Sequence, residues 1–268
     1  MERIGKALEK AQQARKPPPV PPPSTGSGAP GIETPAVLKW PEPTHQMRQE
    51  DLADHRVVAG LYHDQHADLF RHLRSQLLQH LSTVEGRSVG VCSSTAGEGK
   101  TLIATNLALS ISLDVNYRVA LVDLDLRRPS IHKYLSLSPT PGLVDCLSGR
   151  ASLEECLVNP GTERLAVLPG GTPVRNSSEI LSSPRMAGYF EDMNLLGPDH
   201  IIVYDLPPLL SSDDAIGILP RLAAVLLVVQ EGMTTPGQIQ RSLQFLDKDK
   251  LVGTVLNKST AKNPYPYY

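Results

Sequence analysis

A glycine-rich loop, Gly97-Glu98-Gly99-Lys100-Thr101, joins an apolar segment at 88–93 to an apolar helical segment at 100–113. This arrangement constrains the fold strongly, because the loop amides and the positive end of the helix form a cradle for a phosphate group. The lysine can reach the β- and γ-phosphate oxygens, and the threonine hydroxyl is placed to bind Mg²⁺. The loop therefore predicts a nucleotide site made by Thr95, Ala96, Gly97, Glu98, Gly99, Lys100 and Thr101.

The loop departs from the usual phosphate-loop pattern G-x-x-x-x-G-K-[ST] at its first position, where this chain has Ser94. Gly97 inside the loop and the apolar segment before it compensate for this difference. A chance surface turn is the alternative interpretation. The helix that follows the loop favours a phosphate cradle.

Two further apolar segments end in aspartates. Asp123 and Asp125 alternate at the end of one segment, so both side chains point to the same face of a strand. Asp205 ends another apolar segment, and the Pro-Pro pair that follows the next residue restricts the backbone there. Solvated strand ends are the alternative interpretation. We predict catalytic roles for Lys100, Asp123, Asp125 and Asp205, and Mg²⁺ binding by Thr101, Asp123 and Asp205.

Strands and helices alternate from residue 88 onward. Continuous apolar strands such as 224–229 are typical of burial on both faces, as in a parallel sheet. The pattern predicts a doubly wound α/β fold of the deviant P-loop NTPase type, with a mostly parallel sheet and helices on both faces. The predicted strands lie near 88–93, 118–123, 164–168, 201–205, 223–229 and 251–256. The predicted helices lie near 66–81, 100–113, 142–148, 151–157, 184–195 and 235–247.

The end of the chain carries two features of interest. Asn257 closes the last predicted strand, where its amide could contact a nucleotide base or simply cap the strand end. Tyr265, Tyr267 and Tyr268 follow within a tail at 258–268, in a chain that has only 4% aromatic residues. They are interpreted either as a tail that docks on its own domain or as phosphate acceptors.

Composition divides the chain into four parts. Residues 1–16 predict a short helix, which is either a frayed terminus or a docking helix for a partner. Residues 17–60 are proline-rich and predict a disordered linker. We expect the nucleotide-binding domain at 61–257 and a flexible tail at 258–268.

Charge and hydropathy exclude several classes of protein. The formal net charge is −2, so we expect no nucleic-acid partner. No run of about 18 apolar residues is present, and the first residues lack the apolar stretch of a secretory signal. The three cysteines have neither metal-binding spacing nor an even number. The sequence predicts a cytosolic protein.

These motifs resemble those of the bacterial tyrosine autokinases of capsule and exopolysaccharide loci. That family has a deviant phosphate loop, an apolar-D-x-D-x-R motif, an apolar-D-x-P-P motif and a terminal tyrosine cluster. The opening residues 4–11 are similar to an exosortase-linked subgroup. The matching segments here are 93–101, 122–127, 176–185, 203–208 and 265–268.

The resemblance implies an ATP- and Mg²⁺-dependent kinase that phosphorylates its tail tyrosines in trans within a ring-shaped homo-oligomer. The self-association helix of the family corresponds to Asp68, Arg71 and Arg74, with Asp68 in place of a glutamate. The resemblance also implies a separate transmembrane activator of the chain-length-determinant type and a cognate tyrosine phosphatase. Such a protein would be recruited from the cytoplasm to the inner face of the membrane by its partner.

A different class of protein shares the loop. Partitioning-type ATPases use ATP-driven dimerisation for localisation, without kinase activity. Their loop has a second lysine, five positions before the lysine that corresponds to Lys100. This chain has Thr95 at that position and ends in tyrosines, and both differences favour the kinase. A degenerate nucleotide-binding scaffold is disfavoured because the acidic motifs are intact.

Overall fold

The structure is a computed structural model that describes residues 40–43, 45–61, 64, 66–194, 197 and 199–260. The predicted N-terminal helix, most of the proline-rich segment and the three tail tyrosines lie outside these residues. In the part of the chain that is described, none of the helices has the length and apolar character needed to cross a lipid bilayer.

Six parallel strands form one sheet, and all six were predicted from the apolar runs. The sheet order is β3-β2-β4-β1-β5-β6. Neighbouring strands β5 and β6 share a register shift between Val225 and Leu226. The strands are β1 (Ser88–Ser93), β2 (Arg118–Asp123), β3 (Leu165–Leu168), β4 (His200–Asp205), β5 (Ala224–Gln230) and β6 (Leu251–Asn257).

Helices cover both faces of the sheet, as predicted. The α-helices are α1 (Gln49–Asp54), α2 (Ala67–Leu81), α3 (Lys100–Ser112), α4 (Ile131–Tyr134), α5 (Leu143–Leu147), α6 (Leu153–Cys156), α7 (Ser177–Leu181), α8 (Pro184–Asn194) and α9 (Pro236–Leu243). Two 3₁₀ turns lie at Val58–Gly60 and Leu219–Arg221. The short α1, α4 and α7 were not predicted.

Alternate strand residues supply two core clusters, one on each face of the sheet. On the first face, Val91 and Val203 pack with residues of α1 to α4. On the second face, Cys92 and Tyr204 pack with residues of α5 to α8 and with Leu246, which follows α9. All residues of α3 except Leu102 are buried. A helix that is buried nearly all round lies inside the fold, and α3 therefore holds the loop before it in a fixed position.

The predicted linker over 17–60 is folded in its described C-terminal part, which corrects the predicted domain boundary. Leu52 and Val57 are buried in the first core cluster. The Ala59 N–H donates to Asn106 Oδ1 of α3 at 2.9 Å. Six helical residues are too few to show a periodic apolar pattern, so the proline-rich composition upstream dominated the prediction.

The described residues before α1 run beside the amino ends of β2 and β4. The ring centroids of Trp40 and His200 lie 5.5 Å apart. The Arg118 guanidinium lies over the Trp40 ring, 5.7 Å from the centroid of that ring. Asn159 Nδ2 donates to the Pro41 carbonyl at 3.0 Å. This segment therefore belongs to the folded unit and lies at the end of the sheet where the strands begin, opposite the glycine loop.

The sheet order brings the three predicted motifs to one edge. β1 lies beside β4, and β4 lies beside β2, so their carboxyl ends are adjacent. Asp123 and Asp205 are directly paired in the register of β2 and β4. Neighbouring parallel strands lie roughly 4.8 Å apart, so the two carboxylates meet beside the start of α3.

Candidate active site

The loop between β1 and α3 turns through two glycines with left-handed backbones. Gly97 has φ +86° and Gly99 has φ +99°, and Gly99 caps α3. A Cβ at Gly99 would lie 2.0 Å from Asn257 Nδ2, so a side chain at this position would displace the Asn257 amide as well as strain the left-handed backbone. The left-handed backbones at both positions therefore favour glycine in this loop.

Glu98 fixes the first half of the loop from inside. Its side chain is buried, and its Oε1 accepts the Thr95 N–H at 3.0 Å and the Thr95 hydroxyl at 2.6 Å. Oε2 lies 3.3 Å from the Ser94 N–H. Ser94 Oγ also accepts the Ser242 hydroxyl of α9 at 2.8 Å. The position that holds a second lysine in partitioning ATPases is thus occupied by a threonine bonded to a carboxylate.

Lys100, Asp125 and Asp205 form a buried ionic cluster. Lys100 Nζ lies 2.9 Å from Asp125 Oδ2 and 3.3 Å from Asp205 Oδ1. Thr101 Oγ1 donates to Asp205 Oδ2 at 2.6 Å. Burial works against the charge of Lys100, but Asp205 and Asp125 outweigh it and raise the pKa of the ammonium. The lysine stays protonated and available for a phosphate.

Asp123 is fully buried under the loop that follows β2. Its Oδ2 accepts the N–H groups of Ser130 at 2.7 Å and Ile131 at 3.0 Å, and its Oδ1 lies 3.2 Å from the Asp125 N–H. Burial, with a smaller contribution from Asp205, raises the pKa of Asp123 to about 7. A carboxyl group with a pKa near neutrality can accept a proton at physiological pH.

The site has an excess of negative charge that suits a divalent cation. Three buried carboxylates, Asp123, Asp125 and Asp205, face one ammonium, and burial also raises the pKa of Asp205. Within the described residues, no group of three or more His, Cys, Asp or Glu side chains is arranged to hold a metal by itself. Mg²⁺ usually takes one or two protein ligands together with phosphate oxygens and water. The adjacent Thr101 hydroxyl and Asp205 carboxylate fit that requirement.

The end of β6 also reaches this site. Asn257 Nδ2 donates to the Glu98 carbonyl at 2.8 Å, so Asn257 lies against the loop as well as at the end of a strand. The next residue, Lys258, donates from Nζ to the Gly97 carbonyl at 2.7 Å. The role of Asn257 toward a nucleotide base stays a prediction. Sequence reasoning missed Lys258, because its partner lies 161 residues away in the chain.

Comparison with known proteins assigns this geometry to a family. No protein-family model matches the chain. The tyrosine-protein kinase YwqD of Bacillus subtilis (strain 168) is 32% identical over 187 residues, which are 68% of this chain and 77% of YwqD. The chain belongs to the bacterial tyrosine-protein kinases.

Solved structures agree with this assignment. The kinase domain of the Escherichia coli tyrosine kinase ETK has a TM-score of 0.67 and 26% sequence identity, over 79% of this chain and 84% of that one. The described fold is thus the kinase domain of the family, as the sequence motifs predicted.

A third relative is named for the biosynthesis and transport of a polysaccharide. The succinoglycan biosynthesis transport protein ExoP of Rhizobium meliloti (strain 1021) is 31% identical over 210 residues, covering 76% of this chain but 26% of ExoP. The kinase chain therefore spans about a quarter of the length of this relative.

A polar network in the kinase domain joins the loops after β2 and β4 to α7. Arg127 Nε donates to Ser177 Oγ at 2.8 Å and to Asp214 Oδ2 at 3.0 Å. The Ser177 and Ser178 hydroxyls each donate to Asp214 at 2.7 Å. Burial opposes ionisation of Asp214, but these donors together lower its pKa. Sequence reasoning noted Arg127 and the segment 176–185, and it missed Asp214, which no motif marks.

The three residues predicted for self-association lie on α2, which precedes β1 and the nucleotide loop in the chain. Asp68 and Arg71 are paired with each other at the surface, at i and i+3. Arg74 is partly buried and donates from Nη1 to the Ser110 carbonyl at the end of α3, at 2.7 Å. Arg71 therefore has the more exposed position, whereas Arg74 also has a structural contact within its own chain.

Proposed function

We propose that this kinase domain transfers the γ-phosphoryl group of ATP to Tyr265, Tyr267 and Tyr268 of a neighbouring copy. The observation that carries the proposal is the convergence of Lys100, Thr101, Asp123 and Asp205 at one sheet edge, behind a loop shaped for phosphate. The family assignment supports the choice of a tyrosine as acceptor.

The loop residues from Thr95 to Thr101 bind the triphosphate of ATP in this proposal. Lys100 exchanges its 3.3 Å contact with Asp205 for phosphate oxygens when the nucleotide binds. Thr101 and Asp205 hold Mg²⁺, with Asp123 close by. Bound Mg²⁺ neutralises charge that develops on the phosphoryl oxygens. Asp125 keeps the ammonium oriented toward the phosphates through its 2.9 Å contact with Lys100.

Asp123 receives the proton of the acceptor phenol in this proposal. A tyrosine hydroxyl has a pKa near 10 and is a weak nucleophile at neutral pH. A carboxylate whose pKa lies at about 7 is a better proton acceptor than an ordinary aspartate. The three amides on Asp123 fix the direction of its lone pairs.

The acceptor tail fits transfer between copies. From Lys258 to Tyr268 the chain spans at most roughly 35 Å when extended. We propose a homo-oligomeric ring in which α2, through Asp68, Arg71 and Arg74, contacts the neighbouring copy. A separate transmembrane activator recruits the kinase to the inner face of the cytoplasmic membrane, and a cognate phosphatase resets the tail. The process regulated is exopolysaccharide or capsule polymerisation and export.

Intact-mass analysis of the full chain with and without MgATP tests the proposal. We expect mass increments of one phosphate group in the wild type and none in Lys100→Met, which cannot hold the triphosphate. Replacing Tyr265, Tyr267 and Tyr268 together by Phe should remove the increments while ATP binding is retained. Vigorous ATP hydrolysis with an unmodified tail would indicate a partitioning-type switch instead.

A further inference from the structure

Two consecutive side chains at the end of β6 hold two consecutive carbonyls of the phosphate loop. Asn257 Nδ2 lies 2.8 Å from the Glu98 oxygen, and Lys258 Nζ lies 2.7 Å from the Gly97 oxygen. These contacts join the last residues of the sheet to the segment that would surround the triphosphate. None of the family motifs includes Lys258.

The contacts matter because a peptide unit is planar and trans. A carbonyl and the following N–H point in opposite directions, so fixing one fixes the other. The contact at the Gly97 carbonyl turns the Glu98 N–H away from β6, and the contact at the Glu98 carbonyl does the same for the Gly99 N–H. Loop N–H groups are the donors that bind phosphate oxygens in such loops.

Both side chains are themselves held in place. Asn257 occupies space that a Cβ on Gly99 would fill, at 2.0 Å. Lys258 Nζ also donates to Gln230 Oε1 of β5 at 3.0 Å. Lys258 has φ +55°, which is uncommon for a residue with a side chain and is energetically unfavourable. Such a backbone persists where surrounding contacts fix it.

We propose that Asn257 and Lys258 form a loop clamp that orients the Glu98 and Gly99 amides toward the triphosphate. Lys258 is a positioning residue, because it acts on the nucleotide through the loop backbone. The inference rests on the proposed function in taking ATP as the ligand, but it concerns ATP binding and does not need phosphoryl transfer. The clamp residue is also the first residue of the tyrosine-bearing tail.

Lys250 provides a matched control. It lies just before β6, whereas Lys258 lies just after it, and Lys250 Nζ donates to the Pro220 carbonyl at 2.6 Å. Both lysines therefore make the same kind of contact at opposite ends of one strand. Lys258→Met and Lys250→Met each remove one positive charge and one hydrogen bond from a lysine to a carbonyl. Only the first change touches the loop, and it also removes the contact with Gln230.

Isothermal titration of the full chain with MgATP measures the effect. We expect Kd to rise about three- to tenfold in Lys258→Met, as for loss of one exposed charged hydrogen bond, and to stay unchanged in Lys250→Met. Lys258→Arg should restore part of the affinity. Asn257→Asp, which replaces the donor by an oxygen, should also weaken binding. The melting temperatures of Lys258→Met and Lys250→Met should match each other.

Equal Kd values for the wild type and Lys258→Met overturn the clamp, and so does an equal loss in Lys250→Met. The result is independent of kinase activity. A chain that binds ATP with the expected ranking but never gains phosphate supports the clamp and contradicts the kinase proposal. If the tail is phosphorylated but the Kd values of the wild type, Lys258→Met and Lys250→Met do not differ, the clamp alone is contradicted.

Discussion

Asp123 is a buried acid whose environment disfavours its charge. Burial and the neighbouring Asp205 raise its pKa to about 7 in the folded chain, from an ordinary value near 3.8. Between about pH 4 and pH 7 the folded state therefore binds more protons than the unfolded state. The free energy of unfolding must fall as pH rises through this window, and the loss is complete above pH 7.

We predict that the free energy of unfolding of the metal-free protein falls between pH 5 and pH 8. The fall should be larger in the wild type than in Asp123→Asn. The difference should reach at most about 3 kcal/mol, because the pKa of about 7 lies two pH units above the start of this window and one unit corresponds to about 1.4 kcal/mol. Urea unfolding in the presence of a chelator measures it. Added Mg²⁺ should reduce the loss in the wild type. Parallel pH profiles for the two proteins would show that Asp123 is not the group responsible.

Some residues of the site could be identified from the sequence and others could not. Lys100 and Asp205 stand at recognisable strand and loop ends, and parallel strands bring such ends together. The partner of Lys258 could not be predicted, because its contact depends on how β6 ends beside a loop 161 residues earlier. The same holds for Asp214, whose role depends on Arg127 of the loop after β2 and on Ser177 of α7.

At the scale of elements, the network of Arg127, Ser177, Ser178 and Asp214 ties the loops after β2 and β4 to α7. We predict a coupling of about 1–3 kcal/mol in a double-mutant cycle of Arg127→Ala and Asp214→Asn, measured by chemical unfolding. The neighbouring exposed Arg128→Ala provides the control and should change stability little. Additive effects of the Arg127 and Asp214 changes would contradict a shared network.

The elements themselves follow largely from local pattern. All six strands were predicted, because each is a run of apolar residues bounded by turns. Among the helices of four to six residues, α5 and α6 were predicted, whereas α1, α4 and α7 were missed, because so short a segment shows little of an apolar period. The position of α1 is set by burial of Leu52 and by the hydrogen bond from Ala59 to Asn106, which are tertiary contacts.

At the scale of the whole molecule, two arginines of α2 differ in exposure and in their contacts within the chain. Arg71 is exposed beside Asp68, whereas Arg74 also binds the Ser110 carbonyl of its own chain. We predict that Arg71→Ala lowers the oligomer mass in light scattering without changing the melting temperature. Arg74→Ala should lower both. An unchanged mass in both variants would exclude α2 as the contact between copies.

The proposal requires that one copy's site phosphorylates another copy's tail. Lys100→Met lacks a working site but keeps its tyrosines, while the triple Tyr→Phe variant at 265, 267 and 268 keeps its site but lacks acceptors. The two full-length variants are mixed with MgATP, and the intact mass of each chain is recorded. We predict phosphate on the Lys100→Met chain only. If ATP is consumed while neither chain gains mass, the kinase proposal is contradicted.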